Sequence, residues 1–257
     1  MTSFEAVEEN LHATLAAFGG ARPSGETREL EGVAVTSSGV QYSMFNSAVL
    51  TAPVATPREL ARRIETADGF FAARGLAWSL WICEGWLERK VRGVLADIAY
   101  RGGLHEVAEL PGMEAEALAP PVRALPALEY RRVSDAATRA EFSYLMTITF
   151  GLPQPVARDI YESEGTWSRG LTGWLGYYGN VAVTSAATVA TDGAVGVYAV
   201  ASPPAHRRKG FAEAVVRHAL AEAGSGAPSV LESSEAGLLL YRRLGYRTVT
   251  RYAVFAS

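Results

Sequence analysis

The sequence predicts an α/β fold of the α+β kind, in which a mixed central sheet is flanked by helices and occurs in two tandem copies. Apolar segments of strand length alternate with amphipathic helical segments along the 257 residues. A stretch rich in proline and alanine, residues 114–127, divides the chain into nearly equal parts and is the predicted linker. The predicted domains are therefore residues 1–113 and residues 128–257.

The elements of the first half follow from apolar spacing and capping signals. Thr56-Pro57-Arg58-Glu59 is a capping box with proline at the first helical position, and it predicts a helix to about Arg74. The other predicted elements are helices at 4–18 and 86–100 and strands at 31–35, 42–50, 77–83 and 104–110. Their order echoes the later part of the second half. Residues 1–113 are therefore expected to be a degenerate copy of it, with an unrelated accessory α/β domain as the alternative.

The second half has stronger turn and cap signals. Ser134-Asp135 caps a helix that continues to about Phe150, and Gly179-Asn180 and Asp192-Gly193 mark hairpin turns. The predicted order is a strand at 128–133, helices at 134–150 and 156–164, strands at 172–178, 181–189 and 194–200, a helix at 211–223, a strand from 228, a helix ending at Gly245, and two closing strands.

The segment from Tyr198 to Ala212 predicts an anion-binding turn. An apolar strand runs through two prolines into Arg207, Arg208 and Lys209, and Gly210 precedes a helix. A helix start offers unpaired N–H groups and the positive end of the helix dipole, and glycine lets a ligand approach the backbone. The turn therefore suits a phosphate or pyrophosphate, without indicating which. Neither the Walker string nor the dinucleotide-binding string of glycines occurs in the chain.

Two motifs carry a resemblance to a known superfamily. Arg207-x-x-Gly210-x-Ala212 resembles the Gln/Arg-x-x-Gly-x-Gly/Ala signature of the GNAT superfamily of acyl-CoA N-acyltransferases. By itself that string is equally typical of a solvated basic helix start. The segment from Leu240 to Tyr246, Leu-Tyr-Arg-Arg-Leu-Gly-Tyr, is similar to the closing motif of the superfamily, with Ser234 as helix cap and Gly245 as terminator. The resemblance covers residues 128–257.

The resemblance implies acetyl-CoA as co-substrate. Its thioester arm is expected to lie along the backbone of Val200, Ala201 and Ser202, where the Val200 N–H would donate to the thioester carbonyl. The pyrophosphate would be held by Arg208, Lys209, Gly210, Phe211 and Ala212, with Arg207 assisting by its charge. Tyr241 is the expected general acid for the departing thiolate, with packing against the cofactor as its alternative role. Ser234 is expected to cap its helix or to contact the pantetheine arm.

The sequence assigns the role of general base to no single residue. The strands between 172 and 200 contain no glutamate, and Glu232 is the nearest candidate, although an exposed or salt-bridged role is the commoner one for such a residue. A water chain ending at Tyr177, Tyr178 or a backbone carbonyl would serve as well. The segment 162–180 is rich in aromatic residues and glycine, which fits an acceptor pocket or core filling; Trp174 and Tyr178 are expected to fill the core.

Composition restricts the remaining classes. The net charge of −3 argues against a nucleic-acid partner, and the single cysteine, Cys83, predicts no disulfide and a cytoplasmic location. The four histidines lack metal-ligand spacing, so no metal is expected. No apolar run reaches the length of a membrane span. A monomer or a homodimer is expected.

The predicted function is N-acetyl transfer from acetyl-CoA to the amine of a small molecule. The default acceptor is a small amine or an amino-acid-like compound. Two alternatives stay open: a sensor or partner module that binds acyl-CoA without turnover, and a transferase that uses a longer acyl chain or a protein amine.

Overall fold

The computed structural model describes residues 3–224 and 226–257, which form one mixed sheet flanked by helices. The helices are α1 Ser3–Gly20, α2 Pro57–Ala72, α3 Arg89–Arg92, α4 Leu95–Arg101, α5 Ala136–Phe150, α6 Gln154–Tyr161, α7 Glu164–Ser168, α8 Phe211–Ala223 and α9 Glu235–Arg243. The strands are β1 Glu26–Leu30, β2 Val33–Ser37, β3 Asn46–Leu50, β4 Ser79–Cys83, β5 His105–Ala115, β6 Glu129–Arg132, β7 Leu171–Tyr178, β8 Val181–Ala190, β9 Val195–Ala201, β10 Ser229–Glu232 and β11 Arg247–Ala256. None of these helices is long and apolar enough to cross a membrane.

The two halves exchange their last strands. The sheet order is β1-β2-β3-β4-β11-β5-β10-β9-β8-β7-β6, so β11 of the second half lies between β4 and β5 of the first. Conversely, β5 of the first half lies between β11 and β10 of the second. All of these pairings are antiparallel, and the β5–β11 ladder extends from Arg247↔Glu114 to Ala256↔His105. Each half therefore completes its sheet only with a strand from the other.

Helix α1 also crosses from the first half to the second. Its apolar side chains Val7 and Leu11 pack against Val230 of β10 and Tyr252 of β11. Burying an aliphatic side chain of this size contributes about 1.5–3 kcal/mol. The same helix carries buried polar side chains, which face the sheet beside the functional region described below.

Buried Asn10 fixes the position of α1 on the β8–β9 hairpin. Its amide donates to the carbonyl of Val189 at 3.0 Å and to that of Ala194 at 3.3 Å. Its amide oxygen accepts a 2.8 Å hydrogen bond from the Tyr198 hydroxyl. This contact requires glycine at position 196, because a Cβ there would lie 1.8 Å from the Asn10 oxygen. The register of α1 is thus set by hydrogen bonds as well as by apolar packing.

Several predicted elements differ from those observed in the first half. The strand expected at 31–35 is observed from Val33 as β2, because Glu31 and Gly32 form the β1–β2 turn and Gly32 has φ +75°. The strand expected at 42–50 begins with a 3-10 turn and extends only from Asn46. The prediction of a single helix at 86–100 is wrong. The helix is interrupted after α3 because Gly93 and β-branched Val94 are weak helix formers, and Val94 has φ −126°.

The end of the chain differs from the prediction as well. One long strand, β11, occupies the place of the two predicted closing strands, because the neighbouring position in the sheet is filled by β5. Strand β5 itself continues to Ala115, inside the predicted linker, since Glu114 and Ala115 pair with β10. The rest of the linker is held to the second half: the Ala119 N–H donates to Leu244, and Arg217 donates to the Ala119 carbonyl.

Strand exchange predicts that neither half folds alone. Expressed separately, residues 1–127 and residues 128–257 should each be aggregated or lack a cooperative melting transition, because β4, β5 and β10 lose a neighbouring strand. Coexpressed, the two pieces should copurify as a 1:1 complex with the circular dichroism spectrum of the intact chain. Size-exclusion chromatography and thermal melting test this. A monomeric, cooperatively folded 128–257 piece would contradict the exchange.

Candidate active site

An opening in the sheet lies between the parallel strands β9 and β10. They pair only at Ser229↔Val195 and Val230↔Gly196. In the described chain no pairing continues beyond those positions, although β9 extends to Ala201 and β10 to Glu232. The strands therefore diverge toward their carboxyl ends and leave the β9–β10 gap, lined by 197–201 and 231–232. An open strand edge of this kind offers backbone groups to an extended ligand, and carboxyl ends of parallel strands are a common place for binding.

A bulge shapes the β9 side of the gap. The β8–β9 register shifts between Ser185 and Ala187, so that Ala199 and Val200 oppose one residue of β8. Ala199 has φ +50°, a conformation costly for any residue with a Cβ. Its carbonyl accepts a 3.0 Å hydrogen bond from the Ser185 hydroxyl, which stabilises the bulge. A bulge leaves its extra residue outside the ladder, so the backbone around Val200 is released from β8.

The basic turn that contains Arg207, Arg208 and Lys209 follows β9. Ser202 is tied to Thr184 by a 2.9 Å hydroxyl contact, and its carbonyl accepts from Arg207 Nε at 3.1 Å. Arg208 has φ +61° and Gly210 has φ +87°, with Gly210 at the N-cap of α8. A turn with left-handed residues just before a helix start can direct its N–H groups into a concave anion site. Phe211 and Ala212 form the first turn of the helix.

The cations of this turn are available to a ligand. The three basic side chains at 207–209 are exposed, and among the described residues no carboxylate forms an ion pair with any of them. A fourth cation comes from the linker: Arg123 Nη2 lies 3.5 Å from the position that a Cβ on Gly210 would take. Sequence reasoning missed Arg123, because no local pattern places the linker against the start of α8.

Tyr241 and Ser234 belong to helix α9 and its cap. Tyr241 is 7% exposed and packs in an apolar cluster with Val197 and Leu231, the residues at the inner end of the gap. Burial raises the pKa of the Tyr241 phenol, and nearby Tyr246 raises it further, so the phenol is protonated at neutral pH. The Ser234 hydroxyl accepts a 3.3 Å hydrogen bond from the Gly237 N–H, which is the capping role predicted for it.

Glu232 faces the side of the sheet opposite to Tyr241. It is neither exposed nor salt-bridged: it is half-buried, and its Oε1 has no solvent contact and no hydrogen-bond partner among the described residues. Burial raises the pKa of Glu232 to about 8, and the charge of Glu8 on α1 adds to the shift. Burial likewise raises the pKa of Glu8 to about 7. Glu8 was not found by sequence reasoning, because an acidic residue on an amphipathic helix carries no sign of burial.

The tyrosines considered for a water chain lie elsewhere. Tyr177 is buried, donates its hydroxyl proton to the Glu141 carboxylate, and lies beneath the Arg131 guanidinium. Tyr178 is 61% exposed and contacts Phe211, so the expectation that it fills the core is wrong. Trp174 does pack beside the core of α8, edge-on to His218.

The corresponding place in the first half is closed. Strands β3 and β4 also pair in parallel, but beyond their ladder Val54 forms a bridge with Leu87. The Val54 N–H donates to Trp86 at 2.7 Å, and its carbonyl accepts from Glu88. The buried Arg63 guanidinium fills the adjacent space by donating to the carbonyls of Gly32, Ala52 and Pro53. The chain itself occupies the edge that remains open in the β9–β10 gap.

Comparison with known proteins identifies the fold. No family model and no curated protein sequence matches the chain. Among solved structures, it is similar to a GCN5-related N-acetyltransferase from Kribbella flavida, with 21% identity over 96% of this chain and 94% of that one, and a TM-score of 0.69. It is also similar to a GCN5-related N-acetyltransferase from Sphaerobacter thermophilus, with 13% identity, 88% and 76% coverage, and a TM-score of 0.57.

A third similar structure shares the tandem arrangement. It is a tandem GNAT protein from the clavulanic acid biosynthesis pathway, with 12% identity, 97% coverage of this chain and 95% of that one, and a TM-score of 0.52. The likenesses extend over both halves. The predicted acyl-CoA N-acyltransferase fold is therefore confirmed.

The raised pKa of Glu232 predicts how stability depends on pH. A carboxyl whose pKa is higher in the folded state stabilises the fold below its unfolded pKa of about 4.5, and this contribution is lost as pH rises through about 8. The melting temperature should therefore fall between pH 5 and pH 9, and Glu232→Gln should lose part of that fall. Each kcal/mol corresponds to roughly 2–4 °C in a chain of this size.

Scanning calorimetry across this pH range measures the effect. Glu114→Gln is the matched control, since buried Glu114 has a partner in Arg247 at 3.0 Å. It should keep the pH slope of the native chain. If the melting temperature of Glu232→Gln depended on pH as that of the native chain does, Glu232 would be solvated.

Proposed function

We propose that this protein is an acyl-CoA-dependent N-acyltransferase that moves the acetyl group of acetyl-CoA to the amine of a small molecule. The observation that carries the proposal is the β9–β10 gap. It combines an open, bulged strand edge, an anion cradle at the start of α8, and a protonated phenol beside the inner end. These features match the three parts of a thioester substrate: an amide-rich arm, a pyrophosphate and a sulfur leaving group.

The backbone of β9 would hold the thioester arm. The chain around Val200, Ala201 and Ser202 offers N–H and carbonyl groups that the bulge removes from the β8 ladder. Hydrogen bonds of the kind that join two strands would fix an extended pantetheine there. The Val200 N–H would donate to the thioester carbonyl, where negative charge develops during attack by an amine.

The cradle would hold the pyrophosphate. It combines the N–H groups of 208–212 with the positive end of the α8 dipole and the charges of Arg207, Arg208 and Lys209. Arg123 adds a further guanidinium from the linker. With four cations and no competing carboxylate among the described residues, the cradle suits a group with more than one negative charge.

Tyr241 would protonate the departing thiolate. Its phenol carries a proton at neutral pH, and its hydroxyl has no hydrogen-bond partner among the described residues. The neighbouring cluster of Val197, Val215 and Leu231 is already packed together. That packing favours a short acetyl group over a long acyl chain.

A single site per chain follows from the difference between the halves. The first half closes its own edge with the Val54–Leu87 bridge and Arg63, and lacks a basic glycine turn before α2. Residues 1–113 would then act as a degenerate copy that supplies structure rather than a second cofactor site.

Acetyl-CoA binding tests the cofactor assignment. Isothermal titration calorimetry should give one site per chain, and Gly210→Glu should weaken binding by at least about tenfold, because a carboxylate enters the phosphate cradle. Gly210→Ala is the control. It shares the cost of φ +87° and the approach to Pro126 but adds no charge. Equal affinity of the two variants would contradict the cradle.

Tyr241→Phe tests the general acid. Loss of the phenol should lower kcat by roughly ten- to a thousandfold, the usual range for a general acid, and leave the KM for acetyl-CoA nearly unchanged. Thiol release with a panel of primary amines measures both. Tyr246→Phe, which removes a hydroxyl directed instead to Ser229, should keep kcat within a few-fold of the native value. A native rate in Tyr241→Phe would leave the residue only a packing role.

A further inference from the structure

Three buried polar atoms lie close together beneath helix α1, and none has a hydrogen bond of good geometry in the described chain. They are Oε1 of Glu8, Oε1 of Glu232 and the hydroxyl of Tyr252, which come from α1, β10 and β11 and are here called the acid cluster. Burial raises the pKa of the Tyr252 phenol, and the charges of Glu8 and Glu232 and the contact of the phenol with the Glu8 carboxylate raise it further. Buried polar atoms in folded proteins are nearly always hydrogen-bonded, because an unpaired one costs about 1–3 kcal/mol. The Tyr252 hydroxyl approaches Glu8, but no group in the described chain pairs with Oε1 of Glu232, which indicates a position for a polar ligand.

At pH 8.5, above the pKa of about 7 for Glu8 and of about 8 for Glu232, the charge of the acid cluster is not compensated. Glu8 accepts a hydrogen bond from the Trp86 indole, and the basic group that approaches it in the described chain is His12, at 3.9 Å. Burial lowers the pKa of His12, so it is neutral near pH 7. Among the described residues Glu232 has no ion pair. Buried carboxylates are normally paired or bound to a cation, so the missing component is a positive group.

The acid cluster borders the β9–β10 gap. Continuing the parallel register beyond Val230↔Gly196 places Glu232 opposite Tyr198. Burial raises the pKa of the Tyr198 phenol, and the Glu232 charge raises it further. Glu232 and Tyr198 are both half-buried, which connects the cluster with the opening. By strand alternation, Glu232 points to the α1 face, whereas Leu231 packs with Tyr241 on the other. The acid cluster and the Tyr241 phenol thus approach the gap from opposite faces of the sheet.

We propose that Glu8, Glu232 and Tyr252 bind the protonated amino group of the acceptor. This inference rests on the proposed transferase function and names its substrate class: a primary alkylammonium compound. The indole of Trp86 and the rings of Tyr198 and Tyr252 provide aromatic surface around the charge, which suits an alkylammonium ion. Two carboxylates would repel an acceptor that carries its own carboxylate next to the nitrogen. The cluster therefore selects amines over α-amino acids.

The proton balance follows from this placement. The ammonium group gives one proton to Glu232, and the nitrogen lone pair then forms a C–N bond with the thioester carbonyl carbon. The C–S bond breaks, Tyr241 gives its proton to the thiolate, and the nitrogen loses its second proton to solvent. One alkylammonium and one acetyl-CoA become one amide, one CoA thiol and one released proton once Glu232 and Tyr241 have returned to their starting states. Glu8 and Tyr252 hold the ammonium group, and the N-terminal half thereby contributes to the site.

Propylammonium chloride is the probe for the acid cluster. At pH 8.5, 100 mM of it should raise the melting temperature of the native chain by about 2 °C or more above 100 mM sodium chloride, because it binds only the folded state. Glu8→Gln and Glu232→Gln should lose this rise, and Tyr252→Phe should reduce it while keeping both charges. Glu114→Gln should retain it.

The same variants separate binding from transfer. In thiol-release assays with propylamine, Glu8→Gln should raise the amine KM at least about tenfold, and acetyl-CoA affinity by calorimetry should stay native. The KM should increase in the order propylamine, β-alanine, α-alanine. No propylammonium effect on the native chain, or an equal effect in the glutamine variants, would overturn the cation site. Failure of the native chain to bind acetyl-CoA would overturn the transferase function instead, and the melting experiments would then test the acid cluster independently.

Discussion

The exchange of β5 and β11 between the halves is the constraint on which the rest of the structure depends. Strand β10 is held on one side by β5 over its whole length, from Ser229↔Ala115 to Glu232↔Gly112. It can therefore separate from β9 on the other side without losing its place in the sheet. The β9–β10 gap exists because a strand from the first half supports its far wall. Helix α1 then crosses the same boundary and covers the face that carries Glu232.

The two halves show how one arrangement can be kept open or closed. In the second half a bulge with φ +50° at Ala199 removes backbone groups from their ladder, at an energetic cost offset by hydroxyl groups of β8. In the first half Val54 pairs across the equivalent space, and Arg63 binds the carbonyls that would otherwise face it. The open edge contains a strained residue, whereas the backbone groups of the closed edge are hydrogen-bonded. Among the described residues, the non-glycine residues with positive φ are Ala199 and Arg208, on β9 and in the turn that follows it, and strain gathered in this way is typical of a functional site rather than of packing.

Local signals in the sequence predicted the local features of the site. The cap at Ser234, the hairpin turns, the basic turn and the helix start at Phe211 all depend on residues a few positions apart. Non-local features could not be obtained in this way. The insertion of β11 between β4 and β5 is fixed by pairing between distant segments, and nothing near Arg123 or Glu8 indicates which surface it will meet. The break at Gly93 and Val94 is a smaller example. Val91 and Leu95 are buried on either side of it, so the apolar spacing predicted one continuous helix although the helix is interrupted.

The strand exchange also restricts the order in which the chain can assemble. During synthesis β4 and β5 emerge long before β11, yet their final neighbour is β11. The two must stay apart, or separate again, until nearly all of the second half has been made. Exposed strand edges during that interval favour pairing with other chains, and contacts between distant segments form slowly. The architecture that holds the gap open in the folded protein thus makes the nascent chain dependent on protection from aggregation.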